Sequence, residues 1–356
     1  MMVAQATNKW ILVDADGKLI LAGNAEFTGV SPSRHLQHSV SRALVGSMKQ
    51  AMSSSVGHNQ ERAKYVDIDG EQLVAKIAVI RAPYTNKAVA AIGILRHPDE
   101  PEPLRPLVGA WEWCPVGDSS RTWIAYWTPE MFDIYRVSPT SSEAVDGRWS
   151  APQWLMDVVA DADRLRMQHL ISAGIDSPEL ANNLHYRVLL GYGQPSREEA
   201  LLRLYGRAHI DEATTRLRGI THLSNSTSRD IGAGIPSYDT GPHFSAAMRA
   251  ANSVAICGID ADTDLCFYLS PGYDQLEAAR PPHGDFYAVI HPEDERAVRN
   301  LVAARQRNDE DAPSSIDARV RSGSGEYIDV AVAASSVPGE NCSARYVYVH
   351  LRPTLS

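Results

Sequence analysis

The sequence predicts an α+β protein of three tandem modules, each a five-stranded antiparallel sheet with helices packed on it. Three observations predict this. Two stretches rich in Pro, Gly and Ser, 97–106 and 224–242, divide the 356 residues into pieces of about a hundred each. Each piece reads strand, strand, helix, strand, strand, strand, so one plan is used repeatedly. The strand candidates alternate in polarity, which leaves each sheet one face for helices and one face free. The expected modules are 1–97, 107–224 and 239–356.

The composition bounds what such modules can do. Hydrophobic residues make up 44% and charged residues 22%, the balance of a folded chain. The net charge of -9, with signs interleaved, argues against nucleic-acid binding, which needs clustered Lys and Arg. MMVAQATNKWILVD lacks the apolar run of a secretion signal, and no stretch reaches the ~18 apolar residues of a membrane span. Cys114, Cys257, Cys266 and Cys342 form no CxxC pair, so neither a zinc site nor a thioredoxin-type site is expected. Scattered thiols without an export signal fit a cytoplasmic protein.

The first piece opens with two apolar runs around Asp16-Gly17, a hairpin signal because Gly supplies the positive φ of a tight turn. A helix is expected over Arg34–Met52, with Leu36, Val40, Leu44 and Met48 as its stripe and Ser31 or Ser33 as its cap. AKYVDID, QLVAKIAVI and AVAAIGIL read as strands, with turns at Asp69-Gly70 and Thr85-Asn86.

In the second piece, GAWEWCP and RTWIAYW pair around Gly117-Asp118, and TPEMFDIYRV forms a short helix. A longer helix is expected over Pro152–Ser172, capped by Ser150, with Leu155, Val158, Val159, Ala162, Leu165 and Leu170 buried. LHYRVLL, ALLRLYGRAHI and TTRLRGITHLS close the piece. In ALLRLYGRAHI, Leu202, Leu204, Gly206, Ala208 and Ile210 face one way, and Arg203, Tyr205, Arg207 and His209 the other. Gly206 and Ala208 leave room under the helices for a small molecule or for helix side chains.

The third piece gives strands SVAICGID and LCFYLS, a helix over Pro292–Arg307, then SSIDARVRS, EYIDVAVAAS and ARYVYVHLR. Gly323 and Gly325 turn between the first two of these, and Pro338-Gly339 lies between the next two. A helix over Asp239–Asn252, with Phe244, Met248 and Ala251 on one stripe, is a candidate pairing element.

Family resemblance enters at VIHPEDERAVRNLV, Val289 to Val302, which looks like the helix start characteristic of PAS domains. Pro292 suits a first helical position, and Glu293 and Asp294 place negative charge at the positive helix end. IDARVRSGSGEYIDVAVAAS resembles the PAS hairpin that follows, and GRAHIDEATTRLRGITHLS resembles the closing PAS strands. WEWCPVGDSSRTWIAYWTPEMFDIYRV is similar to the first PAS hairpin and short helix. In the second piece only Asp161 or Asp163 stands in for the His-Pro-Glu-Asp signal. QLVAKIAVIRAPYTNKAVAAIGIL resembles the end of a GAF domain, although PAS domains end similarly. The whole resembles a bacterial sensor-domain-only protein with three tandem GAF/PAS-type domains, in the order GAF-like, PAS, PAS.

Several constellations have the residue types of a site. Asp260, Asp262 and Asp264 have calcium-loop spacing, but Leu265 and Pro271 stand where Gly and Glu are required, so a solvated hairpin turn is expected. Gly232 and Gly234 begin a dinucleotide fingerprint that Ser237 breaks. His185, His209 and His222 fall on closing strands beside arginines, and an interface or surface face suits them better than haem or a metal. His291 is expected to help cap its helix. Asp118, Ser119 and Ser120 lack a base nearby. Trp111, Trp113, Trp123, Trp127, Phe132 and Trp154 are either ordinary core or an aromatic ligand pocket or partner patch.

No flavin, haem or metal signature and no effector signature is present, so the cofactor is left unknown. The resemblance implies a non-catalytic signalling scaffold that binds small ligands or an unidentified signalling protein, with a homodimer as one arrangement. The alternatives are a small-molecule hydrolase or transferase with an unrecognised active site, and a purely structural subunit.

Overall fold

A computed structural model describes residues 8–36, 39–54, 62–68, 70–115, 123–138, 148–160, 163–171 apart from 165 and 169, 181–192, 196–211, 214–224, 254–309, 311–336 and 344–354. The fold is mixed α+β, with three antiparallel sheets of six, six and five strands and few helices.

The first sheet holds β1 (Ile11–Asp14), β2 (Leu19–Ala22), β3 (Ala25–Val30), β4 (Arg62–Ile68), β5 (Glu71–Arg81) and β6 (Ala88–Arg96) in the order β3-β2-β1-β6-β5-β4. The middle sheet holds β7 (Val108–Pro115), β8 (Trp123–Trp127), β9 (Arg148–Ser150), β10 (Ala181–Leu190), β11 (Glu198–Asp211) and β12 (Thr214–Leu223) in the order β10-β11-β12-β7-β8-β9. The last holds β13 (Ala255–Asp260), β14 (Leu265–Leu269), β15 (Ser315–Arg321), β16 (Tyr327–Ser336) and β17 (Tyr346–Pro353) in the order β14-β13-β17-β16-β15. With β3 and β9 set aside, all three share one order, in which the opening strand and the closing strand lie side by side at the centre.

The expectation of five strands in every sheet is therefore corrected for two of them. β3 contains no fully buried residue and β9 is only three residues long, so neither carries the half-buried alternation by which strands are read.

The expected helix over Arg34–Met52 is two pieces, α1 (Pro32–His35) and α2 (Ser39–Ser53), with Leu36 extended between them. α2 lays Leu44, Val45, Met48 and Met52 on the first sheet. It seats closely, since a Cβ on Gly93 of β6 would stand 3.2 Å from Met48 Sδ. Ser31 makes no side-chain cap bond and instead pairs with Ser33.

The long middle helix is also corrected. After α3 (Pro129–Tyr135), α4 runs only from Ala151 to Asp157, and Ser150 belongs to β9. The chain then pairs with β10: Ala160 N–H donates to Arg187 O, and Leu189 N–H donates to Val158 O. These bonds replace helical ones, and helix resumes within 163–171. Leu155, Val158 and Val159 are buried as expected and Leu170 partly so; Ala162 and Leu165 lie outside the described residues.

The last sheet carries α5 (Pro271–Gln275) and α6 (Pro292–Gln306). His291 Nδ1 accepts from Glu293 N–H at 3.3 Å, the expected cap. The predicted helix over Asp239–Asn252, the dipeptide Pro338-Gly339, and Gly232, Gly234 and Ser237 lie outside the described residues.

The free face of the first sheet is not free. Leu12, Ile80, Ala90 and Ile92 pack against Val108, Ala110, Tyr205 and Ile220 of the middle sheet, face to face. On its other side, the middle core continues into Ile256, Phe267, Tyr268 and Tyr348 of the last sheet. The middle sheet thus touches both neighbours through apolar cores. Among the described residues no helix is long and apolar enough to cross a membrane.

Candidate functional site: the aromatic core of the middle sheet

β7 presents Trp111 and Trp113 on its helix-facing side, and β8 presents Trp123 and Trp127, because alternate residues share a face. Pro129 opens α3 and Arg136 ends it at φ 53°, a two-turn excursion that delivers Met131, Phe132 and Tyr135 to the same core. α4 adds Trp154. The six aromatic residues singled out in the sequence are brought into one buried cluster, so none forms a surface patch. Trp113 meets Trp154 edge-on at 5.4 Å, and Trp127 meets Phe132 edge-on at 5.3 Å.

Tyr135, Trp149 and Tyr186 also belong to the cluster. Trp127 stacks on Tyr135 at 4.7 Å and on Trp149 at 5.3 Å. The Tyr135 and Tyr186 hydroxyls lie 2.6 Å apart. Burial raises both phenol pKa values, Tyr186 to about 12, so at neutral pH both keep their protons and one donates to the other. Tyr186 was legible from the alternation of Leu184, Tyr186 and Val188 along β10, and Tyr135 from its helical spacing after Phe132.

The room expected above Gly206 is occupied by Trp111. Gly206 pairs with Gly219, and Gly219 with Trp111, in one row across three strands. The indole's six-membered ring lies against both glycines. A Cβ would stand 2.8 Å from the ring at Gly206 and 2.5 Å from it at Gly219. Beside it remains a cavity of about 20 Å³, lined by Trp111, Trp113, Met167, Leu204, Leu217 and Arg207. That is space for one water-sized body in a mostly apolar wall. The buried N–H groups of Trp111 and Trp149 have no acceptor among the described residues.

The opposite face of the middle sheet carries its charges, and the first sheet covers them. Glu112, fully buried, accepts from Arg218 Nε at 2.8 Å, from Thr85 N–H at 2.8 Å and from Tyr84 N–H at 3.1 Å. Arg218 also bonds Asp211. At the other end, Glu26 accepts from Arg203 at 3.2 Å and meets His185 Nε2 at 3.0 Å. Between them, Tyr205 donates to Asp14 at 3.3 Å. His185, Arg203 and Arg207 are therefore interface residues, one of the two placements that the strand alternation allowed, and Arg218 joins them.

No family model matches the chain, and no curated protein matches it. A solved structure of an uncharacterized protein from Mycobacterium tuberculosis superposes with a TM-score of 0.58 at 13% identity, over 98% of this chain and 97% of that one. The two chains share a fold over their whole length. A sensory box histidine kinase/response regulator from Burkholderia thailandensis matches with a TM-score of 0.25 at 18% identity, over 31% of this chain and 83% of that one. The N-terminal domain of a diguanylate cyclase with PAS/PAC sensor from Marinobacter aquaeolei matches with a TM-score of 0.24 at 19% identity, over 28% of this chain and 94% of that one.

The acidic triplet forms the expected hairpin turn between β13 and β14, with Asp262 exposed, but its first member, at the end of β13, is not solvated. Asp260 is fully buried and accepts from Gln168 Nε2 at 2.9 Å and Arg345 Nε at 3.1 Å. Neither partner is near it in sequence, so the triplet's own spacing could not reveal them. Asp262 N–H donates to Asp260 at 3.1 Å, just as Asp16 N–H donates to Asp14 at 2.9 Å in the first hairpin. Asp118, Ser119 and Ser120 lie outside the described residues.

Proposed function

We propose that the chain is a non-catalytic signalling protein whose modules, 1–97, 107–224 and 239–356, are GAF/PAS-type sensors. The middle module receives a small apolar ligand, and its neighbours pass the change to a protein partner. One observation carries this reading. The aromatic core that would hold the ligand is continuous with residues of the last sheet, and the back of the same sheet is covered by the first. A ligand that displaces Trp111 or widens the cavity therefore acts on both neighbours at once. The mostly apolar lining and the spare N–H of Trp111 favour an uncharged, flat molecule with one hydrogen-bond acceptor.

The PAS-like signals support the family reading. Asp163 and Asp294 make the same set of bonds to a strand arginine in the middle and last modules.

The test is a titration of the full chain with flat apolar molecules bearing one acceptor, followed by tryptophan emission and native mass spectrometry. Expected is saturable binding of one molecule per chain that disappears in Leu204→Trp, which fills the cavity. Binding that persists in Leu204→Trp would place the ligand elsewhere. An emission spectrum unmoved by every compound would leave the cluster as plain core.

A further inference from the structure

Three sulfur atoms meet where α4 enters the core of the last sheet. Cys257 Sγ lies 3.2 Å from Cys266 Sγ, and Cys266 Sγ lies 3.6 Å from Met156 Sδ. Met156 belongs to α4 beneath the middle sheet, yet it is buried in the last sheet's core. Both thiols are fully buried.

Local backbone geometry aligns the two cysteines. Cys257 lies on β13 and Cys266 on β14, paired as a hairpin. The register slips between Gly258, which pairs with Tyr268, and Ile259, which pairs with Cys266. Phe267 is thus an extra residue, a bulge that turns its ring toward the middle core while Cys266 points with Cys257 into the opposite one.

We propose that Cys257 and Cys266 are an oxidisable dithiol whose disulfide closes across the β13–β14 hairpin and withdraws Cys266 from Met156. The sulfurs need to approach by little more than 1 Å, from contact to a bond of about 2.05 Å. The product is neutral. A dry, apolar surrounding accepts a disulfide at no electrostatic cost, whereas it disfavours the thiolate pair that a bound metal ion would require. Burial likewise pushes the Cys257 thiol well above its ordinary range, so the reduced Cys257 is protonated at rest.

With hydrogen peroxide as oxidant the chemistry closes. One cysteine sulfur attacks a peroxide oxygen, the O–O bond breaks, and the departing hydroxide takes that cysteine's proton as water, leaving a sulfenic acid. The second sulfur attacks the first. The S–O bond breaks, and hydroxide leaves with the second cysteine's proton as another water. Two thiols and one peroxide give one disulfide and two waters. Because neither thiol is exposed, the first step proceeds through opening of the hairpin.

The full-length reduced chain is treated with hydrogen peroxide, alkylated under denaturing conditions, digested and analysed by mass spectrometry. Expected is one peptide pair joined through Cys257 and Cys266, released by dithiothreitol, and formed faster in sub-denaturing urea. Hydrogen exchange over 151–157 is expected to rise on oxidation, since α4 loses its sulfur contact. Recovery of both cysteines as alkylated thiols or as sulfonic acids would overturn the proposal, as would linkage through Cys114 or Cys342. Unchanged exchange in α4 would overturn the withdrawal from Met156. Cys257→Ala must abolish the linkage; if that variant does not fold, the peptide map of the native chain still decides.

Discussion

Asp163 grips Arg187 three times: its carboxylate accepts from the arginine's backbone N–H at 2.8 Å, from Nε at 2.8 Å and from Nη2 at 3.2 Å. In the last sheet Asp294 grips Arg319 through the same three atoms, at 2.9, 2.8 and 3.0 Å. The residue three before each aspartate also matches. Ala160 N–H donates to Arg187 O, and His291 N–H donates to Arg319 O. Val159 bridges Val188, and Ile290 bridges Val320. One device thus fastens the helix start to the third strand of the common plan in both sheets, with Pro292 and Glu293 present in one and absent in the other.

Asp163→Asn is expected to cost about 1–3 kcal/mol, because the neutral amide loses the charge-assisted bonds and leaves Arg187 uncompensated. Asp294→Asn should cost less. The Asp163 side chain is 2% exposed and that of Asp294 is 21% exposed, so water replaces more of the lost interaction in the second. Urea denaturation of the two variants against the native chain checks the ranking.

Glu112→Gln tests the seam between the first and middle sheets. The carboxylate gathers Arg218, Thr85 and the Tyr84 N–H where no water reaches it. Removing its charge leaves Arg218 with Asp211 alone. A loss of about 3–5 kcal/mol is expected, the range for breaking one side of a buried pair. Hydrogen exchange should rise first in residues 82–87, the turn that docks on Glu112. Even exchange across the whole chain would show that this turn is not where the seam opens.

These contacts mark the boundary of what the sequence discloses. The plan of each sheet was legible, since alternation along ALLRLYGRAHI separates Leu202 and Leu204 from Arg203 and Arg207, and Gly17 and Gly325 sit at turns with φ of +73° and +95°. The six aromatic residues were legible as a set because they recur on one face of β7 and β8. What covers the arginine face was not, because Asp14, Asp16 and Glu26 are far from those arginines in sequence. The helix break at Val158–Ala160 was likewise hidden. Its apolar residues fit a helical stripe, and only pairing with β10 decides against helix. The filling of the Gly206 gap by Trp111 depends on the register of three strands, which periodicity does not fix.

Gly219→Ala is expected to destabilise the chain by about 1–3 kcal/mol through overpacking, since the new methyl would enter the Trp111 ring. Combining it with Trp111→Leu should recover part of that loss, because the clash is with the indole. A double-mutant cycle read by urea denaturation measures the coupling. Additive losses would mean that Tyr205 O or the Gly206 backbone, not Trp111, sets the requirement for glycine.

Stability should fall as pH drops from about 6.5 toward 4, and His209 is the group expected to carry much of that fall. Burial first, then Arg218, Arg207 and Lys87, hold its pKa down to about 4. Burial also lowers His222, which faces Arg203 and His185, and His350, beside Arg352. In the unfolded chain a histidine titrates near 6.5. Between the two values the unfolded state binds more protons than the folded one, so the neutral imidazole's contribution is present above about 6.5 and is lost as pH falls through the window. Asp14 works in the opposite sense, because burial raises its pKa and folding then favours its protonated form at low pH. The comparison that isolates His209 is therefore the native chain against His209→Gln, in which the other groups cancel. The urea midpoint of the native chain should decline more steeply with acid than that of the variant, and parallel declines would assign the slope to other groups.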